Sequence, residues 1–113
     1  MRPKILLVDD TPANLVALRR LLADSGADLY EATSGNAALA LCLEHKFALV
    51  LLDVAMPDMD GFEVARLLGE AEAQKDTPII FVTAAFVDEA HRLEGYRAGA
   101  VDYITKPVAD AVL

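Results

Sequence analysis

One cysteine, Cys42, is the whole thiol complement of the 113 residues. That excludes a disulfide framework within the chain and makes a reducing compartment the expected setting. No apolar run reaches the length that crosses a bilayer, and the opening residues do not resemble a secretory leader. A soluble, cytoplasmic domain without membrane contact is therefore expected. Positive charge is scarce: 10 Lys and Arg stand against 18 Asp and Glu, a formal net charge of −8. A field of that sign excludes a broad surface for nucleic acid or anionic membrane. It suits a bound cation or a partner with a basic patch. Internal repeats, low-complexity stretches and linkers are missing too. Hydrophobic residues, by contrast, make up 55% of the chain, which excludes a disordered acidic tail and fills one ordinary core.

Three short apolar runs, Ile5 to Val8, Phe47 to Leu52 and Ile79 to Val82, do not alternate with polar residues. They are too short for typical helices and have the pattern of strands buried on both faces. Asp28 to Ala32 and Val101 to Ile104 are weaker strand candidates. Between the runs lie segments with helical spacing. Leu15, Leu18 and Leu22 form one stripe, started by Thr11-Pro12 as cap and first helical residue and stopped by Gly26. Ala38, Leu41 and Cys42 mark a second helix entered through Ser34, and Val64, Leu67 and Leu68 a third, with Asp60 and Glu63 spaced as a capping box. A fourth is expected from Asp88 to Ala98, ending at Gly99; its large apolar members are Leu93 and Tyr96 alone, so it should be the least firmly docked. A fifth begins at Val108, and the chain stops too soon after Pro107 for that helix to be complete. Residues 1–113 are expected to be one domain cut from a longer protein.

Strand and helix thus alternate, which implies a parallel sheet with helices on both faces and a ligand site at the carboxyl ends of the strands. The polar residues collect at those ends. Asp9-Asp10 follow the first strand, Asp53 ends the third, Thr83 ends the fourth, and Lys106-Pro107 follow the fifth. Three clustered carboxylates demand a cation, and oxygen ligands alone favour a hard one such as Mg2+. A carboxylate beside such an ion can serve as nucleophile in phosphoryl transfer, with Lys106 supplying a point charge and Thr83 a hydroxyl donor.

This set resembles the receiver domain of two-component response regulators. The resemblance is carried by ILLVDD, LVLLDVAMPDMDG, IIFVTAA and DYITKP in that order, and it covers essentially the whole chain. It implies a doubly wound five-stranded parallel sheet of flavodoxin-like order 2-1-3-4-5 in a three-layer α/β/α sandwich. It implies that Asp53 accepts a phosphoryl group from a histidine kinase or a histidine phosphotransfer domain. Asp10, Asp53 and the backbone carbonyl of Ala55 would then hold Mg2+ (or Mn2+) directly, with Asp9 acting mainly through a water. Thr83 and Lys106 would hold phosphoryl oxygens. Tyr103, at the family's aromatic switch position, would turn inward as Thr83 moves, changing the face made by helix four, strand five and helix five to control an output domain or a partner. The Lys106-Pro107 bond would be cis. Dimerisation through that face is common in the family, although nothing in the sequence demands it. The stretch from Thr83 to Lys106 is one residue longer than in common members, and the loop after Thr83 should absorb it.

Each residue has a plainer reading. Asp9-Asp10 alone would be a solvated helix start, Asp53 a polar strand end, Lys106 a surface lysine, Thr83 a strand terminus, and Tyr103 a half-buried core residue. Asp58, Asp60 and Gly61 do not make a calcium loop, because Met56 and Leu67 stand where that loop needs acids. His45 and His91 are expected on the surface and Cys42 in the core. Rival functions are a degenerate receiver used only for docking, which loss of Asp53 or Lys106 would mark, and an aspartyl-phosphate hydrolase, which would need Asp-x-Asp after the first strand. A flavin or dinucleotide domain would need a glycine- or hydroxyl-rich first loop, and DDTPAN is neither. The expected role is a phosphoacceptor rather than a conventional enzyme.

Overall fold

The computed structural model describes residues 2–54, 56, 59–70, 76–83 and 100–105, the last six and Thr83 by their backbone. The chain runs β1 (Lys4–Val8), α1 (Pro12–Leu21), β2 (Asp28–Ala32), α2 (Gly35–Glu44), β3 (Leu49–Asp53), α3 (Gly61–Glu70), β4 (Ile79–Thr83) and β5 (Ala100–Thr105). The expected fourth and fifth helices lie outside the described residues.

All neighbouring strands pair in parallel, in the order β2-β1-β3-β4-β5. The continuous apolar runs are explained by the two layers they separate. Leu6, Val8, Val50, Leu52 and Phe81 pack on one face with Ala38 and Cys42 of α2 and Val64, Ala65 and Leu68 of α3. Ile5, Leu7, Leu51 and Val82 pack on the other with Leu15 and Leu18 of α1. Strand side chains alternate between faces, so a strand covered on both sides must be apolar at every position. The fold is therefore the α/β, flavodoxin-like arrangement with a parallel sheet.

The helix starts follow local chemistry. Ser34 Oγ accepts the Ala37 N–H at 3.1 Å, and Asp60 Oδ1 accepts the Glu63 N–H at 2.9 Å, each satisfying a donor that the helix itself leaves over. Four expectations need correction. Thr11 occupies the cap position of α1 in extended conformation, but its side chain makes no capping bond; Asp9 serves that end instead. Helix α1 ends at Leu21 rather than running to Gly26, because the following residues fold into turns, Ser25 N–H donating to Leu22 O at 3.0 Å. Gly26 then turns the chain into β2 with φ of 78°, a conformation that costs other residues about 1–2 kcal/mol. His45 is not a plain surface residue. Its ring lies half-buried between Tyr30 and Phe47, with centroids at 4.7 and 6.0 Å, and its Nδ1 accepts from Lys4 Nζ at 3.0 Å. Phe47 belongs to this cluster rather than to β3, which begins two residues later. His91 lies outside the described residues.

Cys42 is buried on the core side of α2, and desolvation pushes its thiol up to about 11 from 9.0. At pH 8 its thiolate fraction is thus roughly a hundredfold below that of a free thiol. Alkylation of the native protein should be slower than that of the denatured chain by at least about that factor, measured by mass-resolved labelling. Comparable rates would show that Cys42 is accessible. Among the described residues no helix is long and apolar enough to cross a membrane.

Candidate functional site

The register of the two central strands builds the site. Val8 pairs with Leu52, so one step further along both strands Asp9 stands beside Asp53. Alternation places both on the α1 face, in line with Leu7 and Leu51. Asp9 is completely buried and Asp53 is 2% exposed, whereas Asp10 is exposed. Carboxylate oxygens from all three lie within 4.8 Å of one another.

Asp9 is held from the start of α1. Its Oδ1 accepts the backbone N–H of Thr11 at 2.9 Å and the side-chain amide of Asn14 at 3.3 Å. Its own N–H extends the ladder to β2, donating to Ala32 O at 3.1 Å. Beyond Asp53 the chain is clamped from both sides. Val54 N–H donates to Val82 O at 3.4 Å, and Val54 O accepts the Gly61 N–H at 2.8 Å. Helix α3 therefore begins directly against the end of β3. A Cβ on Gly61 would come within 2.3 Å of the Asp53 carbonyl oxygen and 2.9 Å of Val54 Cα.

Thr83 ends β4 one residue beyond Val82, the register partner of Asp53, so its backbone reaches the same edge. Tyr103 lies in β5 opposite Phe81, and Thr105 opposite Thr83. Ala55, Lys106 and Pro107, with the bond between the last two, lie outside the described residues, as does Asp58.

Two ionised carboxylates at such a separation repel by about 3 kcal/mol at an effective dielectric near 20. The donor set is oxygen only, which fits a hard divalent cation. Opposite ligands of Mg2+ stand about 4.2 Å apart, so a spread of up to 4.8 Å accommodates direct ligation with one contact through water. The three acids can hold such an ion.

Two residues in this geometry were not legible as functional in the sequence. In the sequence Gly61 stands only in a stretch that fails as a calcium loop; its close approach to the Asp53 backbone is through space. Asn14 left one faint signal, since asparagine is a poor choice within a helical turn. At the opposite end of the sheet, Arg2, Pro3, Lys4, Lys46, Phe47 and Ala48 line a cavity of about 380 Å³. Two of its cations are engaged, Arg2 with Asp28 at 2.9 Å and Lys4 with His45.

The sequence matches the response regulator receiver domain family over residues 5–113. The transcriptional regulatory protein SrrA of Staphylococcus aureus is 41% identical over 107 residues, covering 95% of this chain and 43% of its own length. The chain thus spans less than half of that curated relative. Chemotaxis protein CheY4 of Vibrio cholerae superimposes with a TM-score of 0.92 at 30% identity, covering 98% of this chain and 92% of the other. The signal receiver domain of a histidine kinase from Syntrophus aciditrophicus gives a TM-score of 0.84 at 29% identity, covering 97% and 83%.

Proposed function

Because the chain belongs to the response regulator receiver domain family of two-component signalling, we propose that it is a switch set by phosphorylation of Asp53. One observation carries this reading: a buried carboxylate at the end of a central strand with two further acids' oxygens within 4.8 Å. Asp10 and Asp53, with the carbonyl of Ala55, would hold Mg2+ or Mn2+, and Asp9 would reach it through a water. When bound, the cation neutralises the carboxylates and the charge on the transferring phosphoryl oxygens.

An Asp53 carboxylate oxygen attacks phosphorus of a phosphohistidine on a histidine kinase or histidine phosphotransfer domain. The new O–P bond forms as the P–N bond breaks, and the imidazole nitrogen leaves with the electron pair. Thr83 donates its hydroxyl, and Lys106 its ammonium group, to phosphoryl oxygens. Attack by water later breaks the O–P bond, returning the carboxylate and inorganic phosphate. The chain is then a phosphoacceptor assisting its own modification rather than a conventional enzyme. Thr83 moving toward the phosphoryl group leaves room for Tyr103 behind it, and the neighbouring face is the surface that an output domain or partner would sense. Relatives such as SrrA extend well beyond the receiver, which supports an output outside residues 1–113.

Incubation with Mg2+ and a small acyl phosphate should add one acid-stable, base-labile phosphoryl group by intact mass, and a chelator should prevent it. No uptake with Mg2+ present would refute the reading. Asp10→Asn should weaken Mg2+ binding by at least about tenfold, followed by calorimetric or NMR titration, because it removes a charged ligand; unchanged affinity would remove Asp10 from the site.

A further inference from the structure

We propose that Asn14 is a positioning residue for the divalent-cation site, its side-chain amide holding the buried carboxylate of Asp9 in place. The inference rests on the reading of Asp9, Asp10 and Asp53 as that site. Asn14 sits half-buried in the first turn of α1, and its backbone N–H donates to Thr11 O at 3.0 Å. Its backbone is thus tied into the helix start while its side chain reaches back to the strand end. There Nδ2 donates to Asp9 Oδ1 at 3.3 Å, and the Thr11 N–H donates to the same oxygen at 2.9 Å. Two donors on one oxygen fix the plane of the carboxylate, and with it the direction of the second oxygen.

Both donors are neutral. A lysine or arginine at position 14 would bond Asp9 as well, but its charge would offset the negative field that attracts the ion. An amide orients the carboxylate and leaves that field intact. Partners that orient a metal's ligands from behind affect affinity without touching the ion. Since Asn14 and Thr11 both belong to the start of α1, the helix and the acid site are coupled through one oxygen.

The test is a Mg2+ titration of the full chain by NMR, on the wild type and on Asn14→Leu, which keeps the bulk and loses the donor. Asn14→Ala, which retains helix propensity, serves if the leucine variant does not fold. Mg2+ affinity should fall about five- to tenfold, near the low end of what such partners contribute. Amide exchange of Thr11 should quicken relative to the later amides of α1, a change that general loosening of the helix would not single out. In the wild type the Asn14 side-chain amide protons should be protected from exchange. Rapid exchange of those protons, or unchanged Mg2+ affinity in a folded variant, overturns the inference alone. A wild type that binds no Mg2+ overturns both the inference and the site it rests on.

Discussion

Asp53→Asn should take up no phosphoryl group from an acyl phosphate or a phosphohistidine donor, and without Mg2+ it should be more stable than the wild type. The two effects have different origins. The amide has nearly the shape of the carboxylate, so the buried position, 2% exposed, remains filled. It lacks the anionic oxygen that would attack phosphorus in the proposed reaction, and no other acid should take its place: Asp9 is held through Oδ1 by Thr11 and Asn14, and Asp10 is exposed. Uptake should fall below detection by intact mass. The substitution also removes one of two buried charges that sit side by side in register. Relief of that repulsion should raise unfolding free energy by about 1–3 kcal/mol in chelator. Added Mg2+ should then stabilise the variant much less than the wild type, because stabilisation by a ligand tracks its affinity for the native state. Phosphoryl uptake equal to wild type would place the acceptor elsewhere. Lower stability in chelator would mean that the Asp53 carboxylate makes contacts worth more than its repulsion.

Gly61→Ala should be strongly destabilising for a reason that has nothing to do with backbone conformation. Gly61 is the first residue of α3, where alanine has the higher helix propensity by about 1 kcal/mol. Propensity alone therefore predicts a gain. The contact predicts the opposite. The added Cβ would stand 2.3 Å from the Asp53 carbonyl oxygen, 2.9 Å from Val54 Cα and 3.0 Å from the Asp53 carbonyl carbon. All three are backbone atoms and cannot rotate aside. The helix must pull away from the strand, losing the 2.8 Å bond from Gly61 N–H to Val54 O. A loss of about 3 kcal/mol is expected, from overpacking and one buried hydrogen bond, or roughly 10–15 °C in Tm. Because two of the three crowded atoms belong to Asp53 itself, phosphoryl uptake should also slow by at least about tenfold under conditions where the variant remains folded. Gly26→Ala is the control: its φ is positive, its surroundings are open, and it should cost only about 1–2 kcal/mol without slowing uptake. A Gly61→Ala protein as stable and as reactive as wild type would mean that α3 is not seated against β3.

Much of the fold was legible in the chain because the rules that set it act locally. A strand covered on both faces must be apolar throughout, and β1, β3 and β4 were visible for that reason. Ser34 and Asp60 cap helices through bonds that span three residues, well within reach of a sequence pattern. The placement of acids at strand ends was legible too, since those ends are where an apolar run meets a charge. The errors fell where spacing stops carrying information. Phe47 is apolar but packs on Tyr30 and His45 instead of extending β3. Thr11 has the residue type of a cap, yet the bond at that turn goes to Asp9.

Residue type and spacing alone thus carried the alternation of strand and helix, the two-sided burial of the sheet, and the presence of carboxylates with a lysine and a hydroxyl to accompany them. Only the tertiary structure decided which of these groups meet. The Val8–Leu52 register brings Asp9 beside Asp53, the first turn of α1 lays Asn14 on Asp9, and the seat of α3 leaves room for no side chain at position 61. Those contacts join atoms from different elements, and their distances follow from how the strands and helices pack. A one-dimensional pattern records which residues are available; close approach between distant segments exists only once the core has formed.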